Sequence, residues 1–89
     1  MLYRFEFSAP ADRDFAYLER HIQRRILTKL QFFESLDEPL VHAKKLSGVK
    51  NIYRFRIGDY RVLVSPVGGK TFIILLVVKI GHRREVYDK

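Results

Sequence analysis

The spacing of apolar and polar positions divides the chain into three stretches with different periods. In Leu2-Tyr3-Arg4-Phe5-Glu6-Phe7 charged and apolar residues alternate, the period of a strand with one covered face. Ser8 and Pro10 then mark a helix start, a capping side chain ahead of a residue whose fixed φ suits the first turn. From residue 10 to about residue 36 the apolar positions Phe15, Leu18, Ile22, Ile26, Leu30 and Phe33 recur in steps of three and four, one stripe along a helix. Arg20, Arg24, Arg25 and Lys29 fall mainly off that stripe and are predicted to face solvent. A helix of that length is long for a chain of 89 residues, so a break is expected at residues 18–21, giving a hairpin of two helices. Glu38-Pro39 should end the second helix, because the residue before proline avoids the helical region. Residues 40–50 read as a connecting loop with Gly48 as its flexible point.

The remainder has strand character. Residues 51–57, 60–65 and 71–79 are rich in β-branched, aromatic and apolar side chains, and Gly58-Asp59 and residues 66–70 separate them. The last run, from Phe72 to Val78, is continuously apolar, as expected of an interior strand covered on both faces. The predicted fold is therefore a single α+β domain over residues 1–89. It has an N-terminal strand, a helical hairpin, then antiparallel strands, forming one twisted sheet with both helices on one face.

Composition narrows the class. With 47% hydrophobic residues the chain can bury one core and no more. It has no cysteine, which removes disulfides and thiolate metal sites and favours the cytoplasm. The alternating N-terminus is unlike a signal peptide, and the apolar run 71–78 falls far short of the roughly 20 residues a membrane span requires, so no membrane role is expected. Charge is divided unequally. Residues 1–43 hold six Lys/Arg against seven Asp/Glu, whereas residues 44–89 hold eleven against three. Ten of the seventeen basic residues are arginine, whose planar fork suits bidentate phosphate contacts and stacking on bases. A polyanionic partner follows from that asymmetry.

The arginines have a definite arrangement. In Tyr53-Arg54-Phe55-Arg56-Ile57 the period of two puts Tyr53, Phe55 and Ile57 on the face that meets the helices and Arg54 and Arg56 on the other. Gly58-Asp59, with glycine first, signals a type II′ turn that sets Ile57 opposite Tyr60 and Arg56 opposite Arg61. Like charges so placed repel by about 0.2–1 kcal/mol, and no acid in either strand shares their face. A bound anion would supply the missing charge. Lys44, Lys45 and Lys50 from the loop, and His82, Arg83 and Arg84 from the tail, extend the same basic surface as RNA-binding candidates. Tyr87 either clamps the C-terminus on the core or stacks on a base and orients a ribose hydroxyl. His21, His42 and His82 have no metal-ligand spacing, so neither metal nor cofactor is expected.

Three segments together resemble the RelE branch of the RelE/ParE toxin superfamily. They are Lys44-Lys45-Leu46-Ser47-Gly48 before the second long strand, the hairpin Tyr53-Arg54-Phe55-Arg56-Ile57-Gly58-Asp59-Tyr60-Arg61-Val62, and the tail Gly81-His82-Arg83-Arg84-Glu85-Val86-Tyr87. The likeness spans essentially the whole chain. It implies ribosome-dependent cleavage of mRNA by attack of a ribose 2′-hydroxyl on the adjacent phosphate, and a cognate antitoxin forming a hetero-oligomer with the toxin. It also implies catalytic roles for Arg54, Arg56, Arg61, Arg83 and Tyr87. Arginine stands at strand positions where relatives also carry lysine, and arginine is no proton acceptor, which leaves the general base open. The rivals are a ParE-type poison of DNA gyrase that cuts no RNA and a plain nucleic-acid-binding module.

Overall fold

A computed structural model describes residues 2–86. Strand β1 (Leu2–Phe7) turns Tyr3, Phe5 and Phe7 toward the core and exposes Leu2, Arg4 and Glu6. The Ser8 hydroxyl accepts a hydrogen bond from the Ala11 N–H at 3.2 Å and so caps α1 (Ala9–Ala16). The chain breaks at residues 17–19, close to the expected 18–21, and continues as α2 (Arg20–Glu34), which buries Ile22, Ile26, Leu30 and Phe33. Helix α2 stops earlier than the sequence implies. Ser35 Oγ donates to the Phe32 carbonyl at 2.6 Å and closes the last turn, while Pro39 opens a short 3-10 turn (Pro39–His42) instead of ending the helix.

The loop expected over 40–50 is partly ordered into the sheet. Lys44–Lys45 form a two-residue strand, β2, pairing with Arg54 and Tyr53 of β3 (Tyr53–Ile57). Two lysines carry no strand pattern of their own, and the pairing is imposed by the neighbouring edge. Asn51, at φ 59°, turns the chain into β3 and bonds the Pro66 carbonyl through Nδ2 at 3.0 Å, so that strand begins later than expected. Strands β4 (Tyr60–Val67) and β5 (Phe72–His82) run longer than expected.

Sheet order is β1-β5-β4-β3-β2. The expectation of antiparallel strands holds for β2 to β5, but β1 lies parallel to β5, so the sheet is mixed. The β4–β5 pairing steps from Leu63 opposite Lys79 to Val64 opposite Val77, and Val78 is the extra residue of a bulge. Strand β5 is interior, as its apolar run predicts, yet its coverage is unequal: Leu75 and Val77 on the helix side are fully buried, while Ile74, Leu76 and Val78 are only half-buried.

Both helices pack on one face, around Phe55. Its ring lies 4.6 Å from Phe33 of α2, stacked, and 5.6 Å from Phe5 of β1, edge-on. Two carboxylates from the helices finish the sheet's free edge. Glu34 Oε2 accepts the Phe5 N–H at 2.7 Å, and Asp14 Oδ2 accepts the Ile80 N–H at 3.1 Å where β5 runs on past the end of β1.

Candidate functional site

The hairpin has the register the sequence predicts, with Ile57 opposite Tyr60, Arg56 opposite Arg61 and Arg54 opposite Leu63. Gly58 takes φ 59° at the first central position of the turn while Asp59 does not enter positive φ, the pattern of a type II′ turn. Phe55 and Ile57 are buried under the helices, so the arginines occupy the other, open face. Their burial was not legible from alternation. Arg54 is 6% and Arg61 3% exposed, and Arg56 stands out into solvent. Arg61 lies flat along the turn, donating through Nη1 to the carbonyls of Gly58 at 3.1 Å and Tyr60 at 3.0 Å.

This burial lowers the pKa of both guanidinium groups from the ordinary value. For Arg54 desolvation leads and the charge of Arg56 adds to it. For Arg61 desolvation again leads, followed by Arg56, Arg54 and Arg83, with Asp59 opposing them. Arginine remains protonated despite such shifts, so two poorly hydrated positive charges are held in fixed positions beside a third.

The tail reaches the same place. The Arg83 N–H donates to the Asp59 carbonyl at 2.8 Å, and Arg83 Nε lies 3.8 Å from Asp59 Oδ1. Asp59 therefore supplies one negative charge that the strand pattern alone placed outside the cluster. After Arg83 the chain makes a tight turn, with the N–H groups of Glu85 and Val86 donating to the His82 carbonyl at 2.7 and 3.1 Å. Val86 is buried against Gly81. A Cβ on Gly81 would lie 2.9 Å from Val86 Cγ2, so glycine is what lets the tail sit this close to β5.

Not every basic candidate joins the cluster. Lys44, paired with Arg54, shares its face. Lys45 is paired with Tyr53 and points to the opposite side. Lys50 lies beyond the N-terminal end of β3, at the other end of the strand from Arg56 and Arg61. His82 pairs with Tyr60, their rings 5.5 Å apart, and so faces the helix side, away from the arginines; its Nδ1 accepts the Arg84 N–H at 3.2 Å. Arg84 is exposed on the tail turn. Tyr87 lies outside the described residues. One basic neighbour of the hairpin was missed: Arg25 of α2, on the helix side, brings Nη1 to 2.9 Å from where a Cβ on Gly58 would stand. Its distance in sequence from the hairpin hid it. Beside the arginines the open face also carries an apolar hollow of about 350 Å³, lined by Leu46, Val49, Ile52, Leu63, Val78 and Val86.

Comparison with known proteins shows the family to which this fold belongs. The family model of the ParE toxin of type II toxin-antitoxin systems matches residues 5–87. The chain belongs to the RelE/ParE toxin family. Within that family it is similar to toxin RelE3 of Methanocaldococcus jannaschii, 34% identical over 79 residues that make up 85% of each chain. It is 25% identical over 91 residues to the mRNA interferase toxin RelE of Escherichia coli strain K12, covering 100% of this chain and 94% of that one. The archaeal RelE-RelB complex from Pyrococcus horikoshii contains a similar fold, with a TM-score of 0.67 at 28% identity, covering 97% of this chain and 100% of that chain. The chain is thus a RelE-type toxin, and the arginine-lined hairpin belongs to a RelE-like α+β fold.

Proposed function

We propose that this toxin is a ribosome-dependent endoribonuclease that cuts messenger RNA in the cytoplasm and is held inactive by a cognate antitoxin. The observation that carries the proposal is the cluster of Arg54, Arg56 and Arg61 with Arg83 beside it. Fixed, desolvated cations stabilise developing charge far better than solvated ones. The likeness to a protein named mRNA interferase supports the choice of substrate, and the RelE-RelB complex among its structural neighbours supports the antitoxin partner.

In this reading the 2′-hydroxyl of one nucleotide attacks the neighbouring phosphorus, the bond to the 5′-oxygen breaks, and the products are a 2′,3′-cyclic phosphate and a 5′-hydroxyl end. Arg54, Arg56 and Arg61 hold the non-bridging oxygens as their charge grows. Arg83 stabilises the departing 5′-oxygen by its charge, and that oxygen takes its proton from water, since arginine holds its own proton too tightly to act as the acid. Tyr87 orients the 2′-hydroxyl and takes its proton with help from the surrounding positive charge, which favours the phenolate. No group in this set is a strong base at neutral pH, so the uncatalysed geometry problem falls to the ribosome, which holds the RNA in line for attack.

The test is incubation of the full chain in a translation extract with mapping of RNA 5′ ends. The expected result is cuts within codons that bear 5′-hydroxyls and disappear when ribosomes are removed. A ParE-type poison of DNA gyrase is the second reading, favoured by the description of the matching family model. Intact message together with gyrase-linked DNA breaks would establish it and overturn the first.

A further inference from the structure

The strongest unassigned feature lies on the other side of β3. From Arg20 to Phe33, α2 carries four basic residues and no acid. Arg25, Lys29 and Phe32 occupy positions i, i+4 and i+7, one ridge of the helix. Both ends of this ridge connect with the arginine face. At one end Arg25 reaches the Gly58 turn that Arg61 grips from below. At the other, Phe32 and Phe33 meet His42, which leads through Ala43 into Lys44, the open-face partner of Arg54. Between these ends β2 pairs only with Tyr53 and Arg54, so among the described residues the rest of that β3 edge has no strand partner.

The far end of the ridge has the composition of a base-stacking platform. Phe32 is 48% exposed, His42 is exposed, and their rings are 6.4 Å apart. Lys29 Nζ stands 5.5 Å from the Phe32 ring and 5.8 Å from that of Phe33. Exposed rings flanked by cations hold single-stranded nucleic acid without regard to sequence, the cations on phosphates and the rings on a base. An acidic peptide would satisfy the cations but offers the rings no obligatory planar partner.

We propose that Arg25, Lys29, Phe32 and His42 form a second RNA-binding band, which takes single-stranded RNA outside the cleaved phosphate and wraps it around the β3 edge. Arg25 and Lys29 contact phosphates, and one base stacks on the exposed Phe32 ring, with the His42 ring edge-on beside it. The inference rests on the RNA reading of the arginine face and extends it to the helix side.

The experiment measures binding of a fluorescently labelled single-stranded oligoadenylate to the full chain by anisotropy across a range of NaCl. Each lost phosphate contact reduces the slope of log affinity against log salt by about 0.7. The double variant Arg25→Gln, Lys29→Gln should therefore bind with a slope shallower by about 1.4. Phe32→Ala should bind at least about fivefold more weakly with the slope unchanged, and Phe32→Trp should restore affinity. All three side chains are exposed, so folding is little affected. Wild-type slope and affinity in these variants, alongside loss of binding in Arg56→Gln, would overturn the band while leaving the open-face reading intact. Wild-type RNA binding with impaired antitoxin binding would assign the ridge to the antitoxin and also overturn it. Absence of oligoadenylate binding by the wild type overturns the band, and the mapping of RNA ends then decides the cleavage reading separately.

Discussion

Arg56 shows how an exposed side chain can weigh on the fold that carries it. It is exposed, yet after desolvation its charge is the next cause that lowers the pKa of both buried neighbours, Arg54 and Arg61. A base whose folded pKa lies below its unfolded value costs stability while it is protonated, and the cost is relieved only as pH rises through the folded pKa. Arginine stays protonated across the working range, so the cost persists unchanged from about pH 5 to pH 9. Arg56→Gln should raise the melting temperature by a few degrees, following about 0.2–1 kcal/mol of repulsion removed, with the same gain at both ends of that pH range. Calorimetry checks this, and a fall in melting temperature would mean that Arg56 is held by contacts that outweigh the repulsion. Arg83 acts differently, since it is exposed and anchored through Asp59. Arg83→Ala should abolish cleavage in the translation extract while ribosome co-sedimentation survives. Equal loss of both would make it a docking residue only.

At the scale of elements the β3–β4 hairpin depends on Gly58. A Cβ there meets Arg25 Nη1 at 2.9 Å, and the positive φ disfavours any L side chain. Gly58→Ala should cost about 1–3 kcal/mol, read from urea unfolding. An unchanged unfolding midpoint would show that the turn is not strained by a side chain. The hairpin was legible in the sequence because its information is local: alternation sets the faces and Gly-Asp sets the register. The helical hairpin was legible too, from one stripe and the length that forced a break. Strand β2 was not, because Lys44-Lys45 acquires strand form only by lying beside Tyr53 and Arg54. The same limit hid Arg25 and misplaced His82, whose face depends on its pairing with Tyr60 across a bulged strand. Alternation gives a side chain's face but not its depth, so the burial of Arg54 and Arg61 appears only once the tail and the neighbouring strands are in place.

For the whole molecule, the sequence's division of charge becomes a spatial one. The second half contributes β2 to β5 and the tail, and with them nearly all of the open-face cations, while Glu34 and Asp14 of the first half are engaged with backbone N–H groups. A polyanion bound to that face should therefore stabilise the fold by linkage. An oligoribonucleotide at about 100 times its Kd adds about 2.7 kcal/mol, which corresponds to a rise in Tm of roughly 10–20 °C for a chain of this size. Sodium chloride at about 0.5 M should remove most of that rise by screening. A melting temperature indifferent to RNA at low salt would show that the cations are compensated within the protein.

The two carboxylates on the sheet edge have a consequence beyond the single molecule. A free strand edge, where alternate N–H groups point outward, is a template on which a second copy can register, and a third on that. Here the Phe5 and Ile80 N–H groups are already occupied by Glu34 and Asp14, both tied to helices that belong to the core. A second copy pairing along β1 and the end of β5 must first displace these two carboxylates, a cost that works against edge-to-edge growth.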